Sequence, residues 1–411
     1  MGRVVVTGYG AITPIGNSAD EFWANAVAGK NGVERVTLVD PTPFDSQIGA
    51  EIKNFNAEDY MDKKDARRTD RVIQLAIVAA QMAMDHCGIE LTEELRDNFG
   101  VLIGSGIGGL NTVSEQTKVL YERGAGRVSP FLIPHMISNM PAGMVSIIHG
   151  LRGPLGNSVT ACATGATCIG DATEIIKRGD ATMMLAGGTE ASINDIGFSG
   201  FCAMRAMSTR NDDPHHASRP FDVDRDGFVC GEASCVWVLE DYDHAIARGA
   251  TIYAEVAGYG LTADAHHLSA PHPDGNGVAR CIQMGLRKAG ISVEQVDYVN
   301  CHATSTGLGD KAETIAIKRA LGEHAYKIPV SSTKSMIGHT FGAAGAVEGL
   351  ACIYALNQGI VPPTINVFNQ DPDCDLDVVP NVARKHNVKV AINNSFGFGG
   401  HNACLILTKP D

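Results

Sequence analysis

The chain has 411 residues, room for two domains or one large duplicated core. Its 44% hydrophobic and 19% charged content is that of an ordinary globular protein, and a net charge of −13 argues against nonspecific nucleic-acid binding. No run reaches the roughly 18 apolar residues of a membrane span, and the eleven cysteines are scattered through apolar segments, as free thiols in a reducing compartment would be. The N-terminal MGRVVVTGYGAITPIG runs straight into a strand-like stretch without a leader pattern. The expected location is therefore the cytoplasm, or an organelle matrix if a transit peptide has been removed.

Strands and helices alternate along the whole chain, which predicts an α/β fold. RVVVTG (3–8), FGVLIG (99–104), NSVTA (157–161), ATMMLAGG (181–188) and CVWVLE (235–240) read as strands. Between 162 and 178, Cys168, Ala172, Ile175 and Ile176 share one helical face. The second half repeats this grammar: strands at IYAEVAGYG (252–260), VDYVNC (296–301) and IPVSS (328–332), and a helix over about 310–321. A further helix follows from the stripe Val347, Leu350, Ala351 and Tyr354. ACATGATCIG and GAAGAVEG each open a helix after a strand, so an internal duplication is expected, with halves 1–250 and 251–411.

Cys162 falls at a predicted strand-to-helix junction, where free N–H groups favour a thiolate and could hold an oxyanion beside it. A packed core cysteine fits that stretch equally well, and Cys168, on the apolar stripe, reads as packing. His302 in NCHATSTGLGD and His339 in SSTKSMIGHTFGAAGAVEG each follow a strand of the second half, with Lys334 and Glu348 nearby. GSGIGG (104–109) fits G-x-G-x-x-G, but no second strand ending in an acid follows about 20 residues on, so a tight packing turn is the better reading. NNSFGFGGHNA (393–403) offers a ligand-facing Gly-rich loop or a plain hairpin turn. DKKDARRTDR (62–71) is the strongest basic cluster, either a solvated helix face or a dock for an acidic partner.

Five blocks in order, VTACATG, RPFDVDRDGFVCGE, NCHATST, SSTKSMIGH and NSFGFGG, resemble the β-ketoacyl-[acyl-carrier-protein] synthases of type II fatty acid synthesis, in the thiolase-like superfamily. The resemblance spans essentially the whole chain. It implies duplicated βαβαβαββ halves in five α-β-α-β-α layers, usually as a homodimer, and an acyltransferase that condenses malonyl with acyl groups. The Cys-His-His set maps onto Cys162, His302 and His339, the supporting lysine onto Lys334 and its acidic partner onto Glu348. The oxyanion donors map onto the N–H groups of Cys162 and Phe398, and Phe398 also looks like a gating phenylalanine beside Phe396. Thr304, Thr306 and Ser269 match the residues that meet the phosphopantetheine arm.

The acyl-carrier-protein dock maps onto Lys63, Lys64, Arg67 and Arg68, with Arg205 in addition. No cofactor of its own is implied, because the phosphopantetheine belongs to the acyl- and malonyl-carrier proteins. Ala303, Cys301, Ile337 and Phe341 vary the family pattern, which bears on pocket shape rather than on the reaction. A biosynthetic thiolase would need a second cysteine in the C-terminal loop, where Phe396 and Phe398 stand. A polyketide ketosynthase remains open, and a non-catalytic chain-length subunit would have lost Cys162.

Overall fold

The computed structural model describes residues 2–410. Its main sheet has ten strands. In chain order they are β1 (Val4–Ile12), β2 (Phe99–Gly104), β3 (Leu155–Gly156), β4 (Met183–Glu190) and β5 (Ala233–Asp241), then β6 (Ala254–Ala263), β7 (Tyr298–Asn300), β8 (Val330–Ser331), β9 (Val390–Gly397) and β10 (His401–Thr408). The spatial order is β3-β2-β4-β5-β1-β6-β10-β9-β7-β8.

Read outward from the middle, each half lays down its five strands in the same sequence. The directions match as well. β2 is parallel to β3 and β4, as β7 is to β8 and β9, while β4–β5–β1 and β9–β10–β6 are antiparallel. The halves join edge to edge where Val5 and Val6 of β1 pair with Glu255 and Ala254 of β6. This is the expected duplication.

Six helices complete the layers: α1 (Arg71–Cys87), α2 (Met140–His149), α3 (Thr164–Arg178), α4 (Asn276–Ala289), α5 (Gly307–Leu321) and α6 (Ala344–Gln358). α1 and α2 cover the outer face of the first half, and α4, backed by α5, covers that of the second. α3 and α6 lie between the halves and touch strands of both. A five-layer stack results.

α6 is buried through Leu356, which explains why its sequence is apolar all round rather than striped. The two central helices cross backbone to backbone. A Cβ on Gly165 would come within 2.9 Å of the Gly342 carbonyl, and one on Gly345 within 2.6 Å of the Ala166 nitrogen. Glycine is therefore required at both crossings.

The predicted strand NSVTA is not there. β3 is only Leu155–Gly156, and residues 157–160 leave the sheet. Those residues instead lead into a tight turn at Ala161, whose φ of 51° is left-handed, and that turn presents Cys162.

Candidate active site

Cys162 sits in a single 3-10 turn (Ala161–Ala163) that feeds α3, and neither that turn nor α3 has a side-chain N-cap. The first N–H groups of the segment are thus left for a ligand. The N–H groups of Cys162 itself and of Phe398 are directed at the Cys162 sulfur. Phe398 arrives from the turn between β9 and β10, held tight by Gly399 and Gly400 at φ 84° and 75°. Both earlier readings of that Gly-rich stretch apply at once, a hairpin turn whose N–H faces the site.

The thiol is not a resting thiolate. Cys162 is 6% exposed, and burial pushes its pKa up to about 12; the Lys334 ammonium pulls it down and the Glu190 carboxylate adds to the rise. Desolvation of a charged sulfur outweighs the helix terminus that favours it.

His302 follows β7 directly and His339 sits in the turn before α6, their rings 5.3 Å apart and nearly perpendicular. Burial first, and then the Lys334 charge, hold both imidazoles well below the usual histidine range, and His339 lowers His302 further. Both are therefore neutral near pH 7, each with one N–H. Nδ1 of each ring is buried without a partner, which leaves Nε2 as the nitrogen to meet a ligand.

Lys334 and Glu348 form an ion pair, 1% and 0% exposed at their side chains. Neither lines the cavity. Glu348 is the acidic partner expected for Lys334 and is too deep to reach the cavity, while the Lys334 charge lowers the pKa of Cys162, His302 and His339. The cause is their placement on Lys334–Ile337 and α6, in the central layer beneath the histidines.

Cys162, His302, His339, Phe396 and Phe398 all line one cavity of about 480 Å³, together with Thr304, Thr306, Ser269 and Arg205. The Thr304 and Thr306 hydroxyls lie 3.2 Å apart, Ser269 is exposed, and the Phe396 ring is 5.4 Å from His302. Lys63, Lys64, Arg67 and Arg68 lie outside it. They are exposed on and after the short helix Lys63–Ala66, where Lys63 and Arg67 both approach Glu58 and Arg68 lies over the Phe131 ring.

Two buried acids escaped the sequence reading. Glu313 on α5 accepts the N–H groups of His302 (2.9 Å) and Ala303 (2.7 Å) and the amide of Asn394 (3.1 Å), fixing the histidine backbone. Burial raises its pKa to about 7. The signal was an acid embedded in the apolar AETIAI, one turn after Asp310. Glu190 ends β4 and accepts from Ser105 and from the N–H groups of Gly106 and Gly342. GSGIGG thus wraps a carboxylate of the chain itself, which disposes of the dinucleotide reading.

Among the described residues no cluster of three or more His, Cys, Asp or Glu could hold a metal.

A buried thiol facing two fixed N–H donors and two neutral imidazoles is equipped to hold an acyl group as a thioester and to stabilise an enolate next to it. On a duplicated, five-layered fold, that defines a condensing enzyme of the thiolase-like class. Comparison with known proteins narrows the class. The profile of the β-ketoacyl synthase N-terminal domain matches residues 1–245 and that of the C-terminal domain residues 253–368, so the chain belongs to the β-ketoacyl synthase family.

It is 49% identical over 407 residues to the 3-oxoacyl-[acyl-carrier-protein] synthase 2 of Synechocystis, covering 99% of this chain and 98% of that protein. The synthase 2 of Staphylococcus aureus is similar to the same extent. Among solved structures, a β-ketoacyl synthase from Burkholderia phymatum is 36% identical with a TM-score of 0.92, each chain covered fully. A type II polyketide ketosynthase in complex with its acyl-carrier protein is 34% identical with a TM-score of 0.93, again over both whole chains.

Proposed function

We propose that the protein is a 3-oxoacyl-[acyl-carrier-protein] synthase that extends fatty acyl chains by decarboxylative Claisen condensation. The observation that carries this reading is the convergence of Cys162, His302, His339 and the Phe398 N–H on one cavity. The 49% identity to synthase 2 enzymes, against 34% to the polyketide ketosynthase, favours fatty acid over polyketide substrates.

In the first half-reaction the Cys162 thiol attacks the acyl thioester of a carrier protein. Because the resting group is a thiol, its proton passes to a neutral imidazole as the C–S bond forms, and returns to the departing phosphopantetheine sulfur. The tetrahedral oxyanion lies between the N–H groups of Cys162 and Phe398. Malonyl-carrier protein then enters. Its C–C bond to the carboxylate breaks, CO2 leaves, and the electron pair passes into an enolate whose oxygen accepts from Nε2–H of His302 and His339. The enolate carbon attacks the acyl carbonyl, and collapse of the intermediate expels the Cys162 sulfur, which takes up one proton from solvent to restore the resting thiol. Decarboxylation itself generates the nucleophile, so the scheme calls on no cofactor of this chain.

Thr304, Thr306 and Ser269 would guide the phosphopantetheine arm down the cavity. Lys63, Lys64, Arg67, Arg68 and Arg205 would receive the carrier protein. Two copies would pair along the open edge of β3, where Leu155, Val159, Ile147 and Ile148 are exposed. The halves 1–250 and 251–411 would act as one unit, since the nucleophile comes from one and both histidines from the other. No helix of the described residues is long and apolar enough to cross a membrane, and the cytoplasm is the proposed location. The test is an elongation assay over acyl-carrier proteins of graded chain length, with and without malonyl-carrier protein. Two-carbon extension only with malonyl donor supports the reading, and absence of any extended product rejects it.

A further inference from the structure

The duplication gives the protein two elbows, of which only one carries a nucleophile. Thr160-Ala161-Cys162-Ala163 precedes α3, and Thr340-Phe341-Gly342-Ala343 precedes α6, each as a single 3-10 turn. Ala161 and Phe341 share the left-handed backbone, with φ of 51° and 45°. Gly342 is therefore the counterpart of Cys162. The strands beside the elbows correspond too. β4 and β9 are the fourth strands of their halves and have eight residues each, so Glu190 and Gly397, their last residues, are counterparts.

The two pairs differ in one way. At the second elbow the Glu190 carboxylate accepts the Gly342 N–H at 3.0 Å, and it also holds the Gly106 N–H at 2.8 Å and the Ser105 hydroxyl at 2.6 Å. At the first elbow the residue in that place has no side chain. A Cβ on Gly397 would already lie 3.1 Å from the Cys162 nitrogen and 2.4 Å from the Thr160 carbonyl.

The geometry points to Glu190 as a built-in anion that fills the second elbow, clamping the Phe341 turn to the 105–108 loop, while Gly397 leaves the first elbow open for the substrate oxyanion. The inference rests on the condensing reaction only for what the oxyanion is; the clamp stands on its own contacts. The carboxylate is fully buried, and among the described residues no cation is paired with it. Three donors are what make such burial tolerable. A side chain at position 342 would have no room, because its Cβ would lie 2.7 Å from Glu190 Oε2.

Phe341, at the centre of the clamped turn, packs its ring 4.5 Å from His339 and 4.7 Å from Phe201, and it lines the cavity. Glu190 is thus a positioning residue, acting through Phe341 on His339 and through its charge on Cys162.

Glu190→Gln and Glu190→Ala test this, with thermal unfolding first establishing that each is folded. In Glu190→Gln, condensation turnover is expected to fall about tenfold or more with the KM for carrier protein unmoved. Alkylation of Cys162 by iodoacetamide at about pH 8, above the value of about 7 to which burial raises the Glu190 carboxyl, should become several-fold faster, since a negative charge that raises the Cys162 pKa is gone. In Glu190→Ala, added formate should restore turnover by re-supplying a carboxylate, whereas chloride at equal ionic strength should not. Wild-type turnover in a folded variant overturns the clamp, as does an unchanged alkylation rate in Glu190→Gln or a loss that formate leaves unrepaired. The alkylation reading needs no substrate, so failure of the proposed reaction in the unmutated chain is recognised separately.

Discussion

The Lys334 ammonium lowers the proton affinity of His339 from beneath it, and it does the same to His302. Burial, which is the larger cause, and this one buried cation together keep two histidines in the neutral form that can donate to an enolate without competing for its electrons. In the linkage sense each folded-state histidine pKa lies below the unfolded value near 6.5, so neutral imidazole persists as pH falls through 6.5.

The two histidines should accordingly contribute no acid limb near 6.5 to condensation by the native chain. Lys334→Met removes the charge and lets both histidines rise, so the acid limb of kcat should move upward in pH. An acid limb that stays in place would show that burial alone sets the histidine charge.

Replacing either histidine should separate the two half-reactions. His302→Gln or His339→Gln is expected to leave acyl transfer to Cys162 measurable while condensation drops about 10²–10³-fold, the usual cost of losing one oxyanion donor. Release of labelled CO2 from malonyl-carrier protein is the discriminating assay, because decarboxylation is the step at which the enolate forms. Unimpaired CO2 release in both variants would move the enolate elsewhere.

Glu313 accepts the His302 N–H with one carboxylate oxygen and the Ala303 N–H with the other. Glu313→Ala leaves two buried N–H groups unpaired, a cost of about 1–3 kcal/mol each. The melting temperature should fall and turnover with it, while Glu313→Gln, which keeps one acceptor oxygen, should lose less of both. Equal losses in the two variants would count against an acceptor role.

The basic cluster should affect recognition only. Arg67→Glu together with Arg68→Glu should raise KM for acyl-carrier protein and flatten its salt dependence, yet spare a small acyl thioester that needs no docking surface. Equal effects on the two substrates would sink the docking role. Arg67 is already near Glu58, at 3.8 Å, so part of its charge is satisfied within the chain.

Much of the fold could be read in the sequence, because the strand runs and the two Gly/Ala-rich helix openings repeat in order. What could not be read was where the chain leaves the sheet. NSVTA has the composition of a strand, yet Ala161 must adopt φ 51° to aim Cys162, and that demand empties residues 157–160 of strand structure. The reacting groups were legible as loop residues just after strands. Their electrostatics were not, because burial depth is a tertiary quantity: it turned an expected thiolate into a thiol and sank Glu348 below the cavity. Glu190 was hidden for a related reason. An acid closing an apolar strand looks like an exposed terminus until the donors at Ser105, Gly106 and Gly342 fold around it.

The central claim is that Cys162 carries the acyl chain, and intact-protein mass measurement tests it most directly. After incubation with acyl-carrier protein alone, the native enzyme should gain the mass of one acyl group, located by peptide mapping to the segment holding Cys162 and lost when malonyl-carrier protein is added. Cys162→Ala should gain nothing and make no extended product. An acyl group found on another residue, or normal elongation by Cys162→Ala, would contradict the account.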